Sequence, residues 1–269
     1  MPIESHVNAR EPSDNAVIWR FMNMRKFRDL MASEELYFCR ADLYKQDDPN
    51  EGLPSDDYVR SARGFVKYDL NDEQTLNNDQ ATNRQFSESF YLNCWQLYEG
   101  ETLHMWKTYG EVAICSHYGL LKAALDGMLD VMHLGLVQYG DGHVTRYNVL
   151  EFIYNKRFAF DKEREVRAVL CCRDPMAGLN RHFNDLNFPN REPLDAINPI
   201  HEWVPKYKRR RVDMKLLLKE VVVGPWARDE EIEEINLWLK VKNFACSVKR
   251  SGLTGNLTPK PEDLKRFGI

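Results

Sequence analysis

Residues 158–170 read F-A-F-D-K-E-R-E-V-R-A-V-L, and their types and spacing are those of a site that does chemistry. The stretch from Glu165 onward is rich in strand formers, and alternate residues of a strand share a face. A strand beginning near Glu163 places Glu163, Glu165 and Arg167 on one side. Val166, Ala168 and Leu170 then fall on the other, which suits a core. Two carboxylates beside a guanidinium can serve nucleotide or sugar chemistry. A carboxylate close to a sugar stabilises positive charge developing on the ring, and a second one can orient or deprotonate an acceptor. The plain alternative is a solvated sheet face on which Glu165 and Arg167 form an ion pair worth about 0–1 kcal/mol.

Other residues compete for a functional role. The segment D-D-P-N-E-G carries Asp47, Asp48 and Glu51 in a Pro-Gly turn. Such oxygens can hold Mg²⁺ or Ca²⁺, although the spacing is not that of an EF-hand loop. They can equally contact a substrate, make turn hydrogen bonds or cap Arg40. Combined with Glu163 and Glu165, they open the alternative of a metal-dependent nuclease, which the scattered histidines do not support. Trp95, Trp106 and Tyr109 flank a short helix and are most simply core aromatics; the alternative is a stacking wall for a base or a nicotinamide. The run Lys206, Lys208, Arg209, Arg210 and Arg211 reads as a solvated loop that can also meet phosphates. Val223-Gly224-Pro225 leads into a helix and reads as structural.

The elements that must position these residues follow from periodicity. Strands are expected at residues 16–21, 36–40, 90–95, 111–115, 135–139, 147–154, 163–172, 220–223 and 245–249. Helices are expected at 101–109, 120–132 and 229–240, and Met24, Phe27, Leu30 and Met31 mark another by their helical spacing. Residues 53–85 read as a surface helix with a mobile loop, and 173–205 as a long irregular insertion. Neither a repeat nor a linker is visible. The expectation is a flexible N-terminus over 1–15, one α+β domain over 16–252 and a C-terminal tail over 253–269.

Composition sets mild bounds. The chain has 269 residues, 43% hydrophobic and 29% charged, as ordinary globular proteins do. A net charge of −4 exerts no general pull toward nucleic acid. The six cysteines form no C-x-x-C pair, so reduced, buried thiols in a cytoplasmic protein are expected. No apolar run approaches the roughly 20 residues that span a bilayer, and no membrane partner is expected.

The ordered blocks I-W-R-F, L-Y-F-C-R-A-D, D-D-P-N-E-G, Y-L-N-C-W, M-W-K-T-Y-G-E-V-A-I, V-Q-Y-G-D, K-R-F-A-F-D-K-E-R-E-V-R-A-V and V-V-V-G-P span roughly residues 18 to 252. They resemble a family of bacterial proteins known as a domain of unknown function. More distantly, the order of elements resembles ADP-ribosyltransferases, in which a first strand carries Arg or His and a late strand carries Glu-x-Glu. Arg20 and the pair Glu163 and Glu165 match those positions. The central strand departs from the family's Ser-Thr-Ser, having Leu92, Asn93, Cys94 and Trp95.

That resemblance implies a mostly antiparallel, curved or split sheet with flanking helices. It also implies cleavage of the nicotinamide–ribose bond of NAD, by a transferase or a glycohydrolase. Glu165 would stabilise the ribosyl cation and Glu163 would act toward the acceptor. Arg20 would grip pyrophosphate or ribose, with Arg40, Arg167, Trp106 and Tyr109 as further cofactor-binding residues. NAD is then the substrate, no metal is required, and the acceptor is a protein, a nucleic acid, a small molecule or water. The competing reading is a non-catalytic nucleotide- or protein-binding regulatory module on the same scaffold.

Overall fold

The computed structural model describes residues 9–46, 48, 51–53, 87–140, 149–171 and 205–253. The expected loops at 53–85 and 173–205 and the tail at 253–269 fall almost wholly outside these residues, as do 1–8. Within the N-terminal segment expected over 1–15, residues from 9 onward contact the domain. Arg10 O accepts from Leu136 N at 2.8 Å, and Glu11 pairs with Lys122 at 2.7 Å.

The fold is mixed α+β, built on a sheet that contains nine of the described strands. β1 (Val17–Met22), α1 (Met24–Ser33) and β2 (Glu35–Arg40) open the chain, followed by a 3₁₀ turn over Ala41–Gln46. β3 (Phe90–Leu97), α2 (Leu103–Tyr109), β4 (Val112–His117), α3 (Tyr118–Leu125) and β5 (Val131–Leu136) come next. A small ribbon of β6 (Gln138–Tyr139) and β7 (Asn155–Lys156) brackets α4 (Val149–Ile153). A 3₁₀ turn over Phe158–Glu163 leads into β8 (Glu165–Cys171). β9 (Tyr207–Arg211), α5 (Met214–Leu217), β10 (Glu220–Val223), α6 (Asp229–Val241) and β11 (Ser247–Arg250) complete the described chain.

Sequence explains these elements locally. α1 begins where Asn23 caps the Lys26 amide and ends at Glu34, whose left-handed backbone halts the helix. α2 starts on Thr102, whose hydroxyl accepts from the Met105 amide at 3.2 Å. Its end at Gly110 is obligatory, since φ is +151° and a Cβ there would lie 2.3 Å from Met22 O.

Strand order is β11-β10-β4-β1-β3-β2-β9, with β8 and β5 branching from β3. Pairing is antiparallel except between β10 and β11 and between β6 and β7. β8 lines one edge of β3 from Phe90 to Gln96. The other edge is shared: β1 pairs at Gln96 and Leu97, and β2 pairs at Tyr91 and Leu92. Between these pairings β1 and β2 diverge, so the sheet forks beside residues 93–95.

One face carries the main core. Ile18, Trp95, Val166, Ala168 and Leu170 pack there under α1, α3, α5 and α6 through Phe27, Leu121, Leu217 and Ile235. The other face is covered in two patches. Met105 and Trp106 of α2 cover Trp19, Phe21 and Val222. Leu150 and Ile153 of α4 cover Leu92 and Val169.

Several expected elements are corrected. The helix expected over 120–132 stops at Leu125, where Asp126 and Gly127 (φ +81°) break it, and Met132 belongs to β5. In place of the strand expected over 147–154, the described residues Val149–Ile153 form a helix, α4, because Leu150, Ile153 and the following Tyr154 face the core together. The basic run at 206–211 is an edge strand, β9, not a loop. Arg209 is held by Asp29 and Glu35, and Arg210 by Asp130.

Candidate functional site

The second face of β8 is buried, not solvated. Glu165 is 5% exposed and Arg167 0%. Register puts Glu165 opposite Gln96, itself beside Trp19, and Arg167 opposite Cys94. The polar pair therefore occupies the sheet between the two apolar patches of this face.

Three segments converge on it, the last of them the turn that leads directly into β8. The acidic turn brings Glu51, whose carboxylate forms ion pairs with Arg167 and, at 3.4 Å, with Lys156. The β6–β7 ribbon sets Tyr139 beside Lys156 in register. Its backbone is anchored by Val137 N donating to Glu165 O at 2.9 Å, and the Glu165 amide donates to the Tyr139 hydroxyl at 2.8 Å. Finally, the 3₁₀ turn ends at Arg164, whose left-handed φ of +42° reverses the chain. Glu163 thus lies before the strand rather than on it, yet its carboxylate still reaches the cluster.

Lys156 stands at the centre. Its Nζ is 2.6 Å from Glu163, 3.4 Å from Glu51 and 3.7 Å from Glu165, and 4.8 Å from the Phe160 ring centroid. Arg167 pairs with Glu165 at 2.8 Å, pairs with Glu51 and donates to Ile153 O. Tyr109, 37% exposed, donates to Glu163 at 2.8 Å and forms the outer rim.

Electrostatics follow from this crowding. Burial works against the Glu165 carboxylate, but Arg167 and then Lys156 outweigh it and hold its pKa below the ordinary glutamate value. Burial likewise opposes the Lys156 charge, yet Glu165, Glu51 and Glu163 raise its pKa. Burial and the neighbouring glutamate charges push Tyr109 and Cys94 up, so both stay protonated and Cys94 is no thiolate nucleophile. The cluster offers an ionised buried carboxylate, Glu165, behind a second carboxylate, Glu163, nearer the surface.

The remaining candidates separate. Arg167 is fully buried and its two terminal nitrogens bind Glu51, Glu165 and Ile153 O, while Nε has no hydrogen bond. Arg40 is locked on Asp42 at 2.6 Å and pairs in register with Tyr91, at the opposite end of β3 from Gln96 and Glu165. Asp48 is 1% exposed and pairs with Arg157 rather than with Arg40. Trp106 is fully enclosed, packs edge-on against Phe21 and donates to Glu101 at 3.0 Å, so it forms no wall for a ligand. Trp95 is also core. Glu51, proposed as a substrate or metal ligand, joins the site as a partner of two cations.

Arg20 leaves β1 on the face of Ile18 and Met22, whereas Glu165 leaves β8 on the opposite one. Its guanidinium lies in the fork. Nη2 donates to Tyr37 O at 3.4 Å, beside the Asn93 amide that donates to the same oxygen at 2.9 Å. The Trp95 ring centroid is 5.9 Å away. Nη1 is buried without a hydrogen bond. Burial lowers the pKa of Arg20, opposed chiefly by Cys94 and Tyr44 from the site's side of the sheet.

Lys156, Tyr139, Cys94 and Tyr44 were missed by sequence reasoning. Lys156 stood within a quoted block, seven residues before Glu163, but nothing local marks a lysine as a hub. No family model, no curated protein and no solved structure matches the chain. Cys39, Cys94, Cys115 and Cys246 are free thiols. Among the described residues no helix is long and apolar enough to cross a membrane.

Proposed function

We propose that this protein cleaves NAD at the nicotinamide–ribose bond, as an ADP-ribosyltransferase or an NAD glycohydrolase. The observation that carries the reading is the placement of Glu165. It is an ionised carboxylate held away from water at the start of β8, in a mostly antiparallel sheet, with Glu163 in front of it at the Tyr109 rim. In a low-dielectric site such a charge stabilises a ribosyl cation more than it would in water. Glu163, hydrogen-bonded to a partly exposed tyrosine, faces the side from which an acceptor would come. Arg20 leaves the sheet on the opposite face from Glu165, so it meets the pyrophosphate only if the nucleotide reaches the sheet fork, where Nη1 is buried without a hydrogen bond. The acceptor is a protein or a nucleic acid in the transferase case and water in the other. Incubation with NAD and quantification of released nicotinamide test this reading.

A second reading is favoured by one observation. Glu165 and Arg167 are already paired with each other and with Lys156 and Glu51. On that reading the cluster only pins β8 to the ribbon and the acidic turn, and the protein is a binding module. Nucleotide binding without turnover would favour it.

A further inference from the structure

We propose that Lys156 is the positioning residue of this site, an internal cation that fixes the separation of Glu163 and Glu165. The proposal rests on the NAD-cleaving reading given above. Its geometric basis is that one ammonium lies within 4 Å of three carboxylates that arrive on three different segments. Glu51 comes from the acidic turn, Glu163 from the 3₁₀ turn and Glu165 from β8. No other described group touches all three. Arg167 binds Glu51 and Glu165 from the β8 side but leaves Glu163 to Lys156 and Tyr109.

Without Lys156 the cluster would hold three carboxylates against one guanidinium. Like charges at such spacing repel, so loss of the ammonium removes part of what holds the Glu165 pKa down. The groups facing Lys156 also include Arg167, Tyr109, Tyr139 and Cys94. The two tyrosines and the thiol stay protonated at neutral pH and bring no charge. The ammonium therefore supplies the balancing charge that a divalent cation supplies in acidic catalytic centres, and it is placed by the backbone. Tyr139 pairs with Lys156 across the ribbon, and Gly140 N donates to Lys156 O at 3.0 Å.

The test uses the full chain, with Lys156→Met and Lys156→Arg beside wild type. Two readouts are taken. One is the pH profile of NAD cleavage; the other is a carbon-13 titration of the glutamate carboxyls without nucleotide. Lys156→Met should move the acid limb of the profile and the Glu165 resonance to higher pH. It should lower kcat at least tenfold and change KM less than threefold. Lys156→Arg should restore most of the limb. A folded Lys156→Met protein with both limb and resonance unmoved would overturn the proposal. If wild type cleaves no NAD, the functional reading fails, and the carboxyl titration alone still decides the role of Lys156. If Lys156→Met does not fold, the wild-type Lys156 Nζ nitrogen resonance decides. It should shift as Glu165 titrates, and a flat response overturns the proposal.

Discussion

Glu51 and Arg167 form an ion pair between the acidic turn and the fully buried centre of β8. The pair ties a segment rich in turn residues to the inside of the sheet. Glu165 shares Nη2 with Glu51 and Ile153 O accepts from Nη1, while Nε is buried without a hydrogen bond. Removing one partner of such a pair leaves an uncompensated buried charge. Arg167→Met should therefore destabilise the protein by about 3–5 kcal/mol, measured by urea unfolding at pH 7. A loss below about 1 kcal/mol would mean that the cluster is solvated.

Glu165 gives stability a defined dependence on pH. Its folded pKa is depressed, so between the folded and unfolded values the unfolded chain binds more protons. The contribution is complete above the unfolded glutamate pKa of about 4.3 and is lost as pH falls through the lower folded value. Thermal melts between pH 6 and 3 should show wild-type Tm falling with acid, and Glu165→Gln should flatten that fall. Equal slopes in both proteins would remove this linkage.

Arg20 separates a structural from a binding role. A buried cation without a carboxylate partner stabilises little, so Arg20→Met should leave unfolding free energy within about 1 kcal/mol of wild type. The same variant should weaken NAD binding about tenfold or more, as expected for loss of a charge-assisted contact. Arg20→Lys should be intermediate, because an ammonium cannot reproduce the fork of donors. Calorimetric titration with NAD reads both effects, and unaltered affinity in Arg20→Met would take the pyrophosphate away from the sheet fork.

The balance of charge at Lys156 predicts independence from metals. NAD cleavage should be unchanged after dialysis against EDTA and after addition of Mg²⁺. A large Mg²⁺ activation would favour the metal-dependent reading of Glu51, Glu163 and Glu165.

Much of the frame was legible in the sequence. Met24, Phe27, Leu30 and Met31 marked α1 by their spacing, and Val166, Ala168 and Leu170 marked the core face of β8 by alternation. Alternation could not say what covers the other face. A solvated ion pair of Glu165 and Arg167 stayed open as an alternative because the covering groups, Glu51 and the Tyr139–Lys156 ribbon, lie outside the strand's own sequence pattern. Leu150, Ile153 and Tyr154 were misread because a short apolar run fits either period. The charges of β9 suggested a loop, yet Arg209 and Arg210 find Asp29 and Asp130 only once the sheet has formed. The fork at Arg20 depends on two strands sharing one edge of β3, which no local pattern encodes.

The decisive measurement is NAD turnover by wild type and Glu165→Gln, with folding checked in the same samples. Burial of Glu165 means the substitution carries a stability cost of about 1–3 kcal/mol, so the comparison belongs well below the variant's Tm. Wild type should release nicotinamide, and folded Glu165→Gln should do so on the order of 10²-fold more slowly, by analogy with the loss of one electrostatic stabiliser. A wild-type protein that neither binds nor cleaves millimolar NAD, or a Glu165→Gln variant as active as wild type, would contradict the assignment of this buried carboxylate to catalysis.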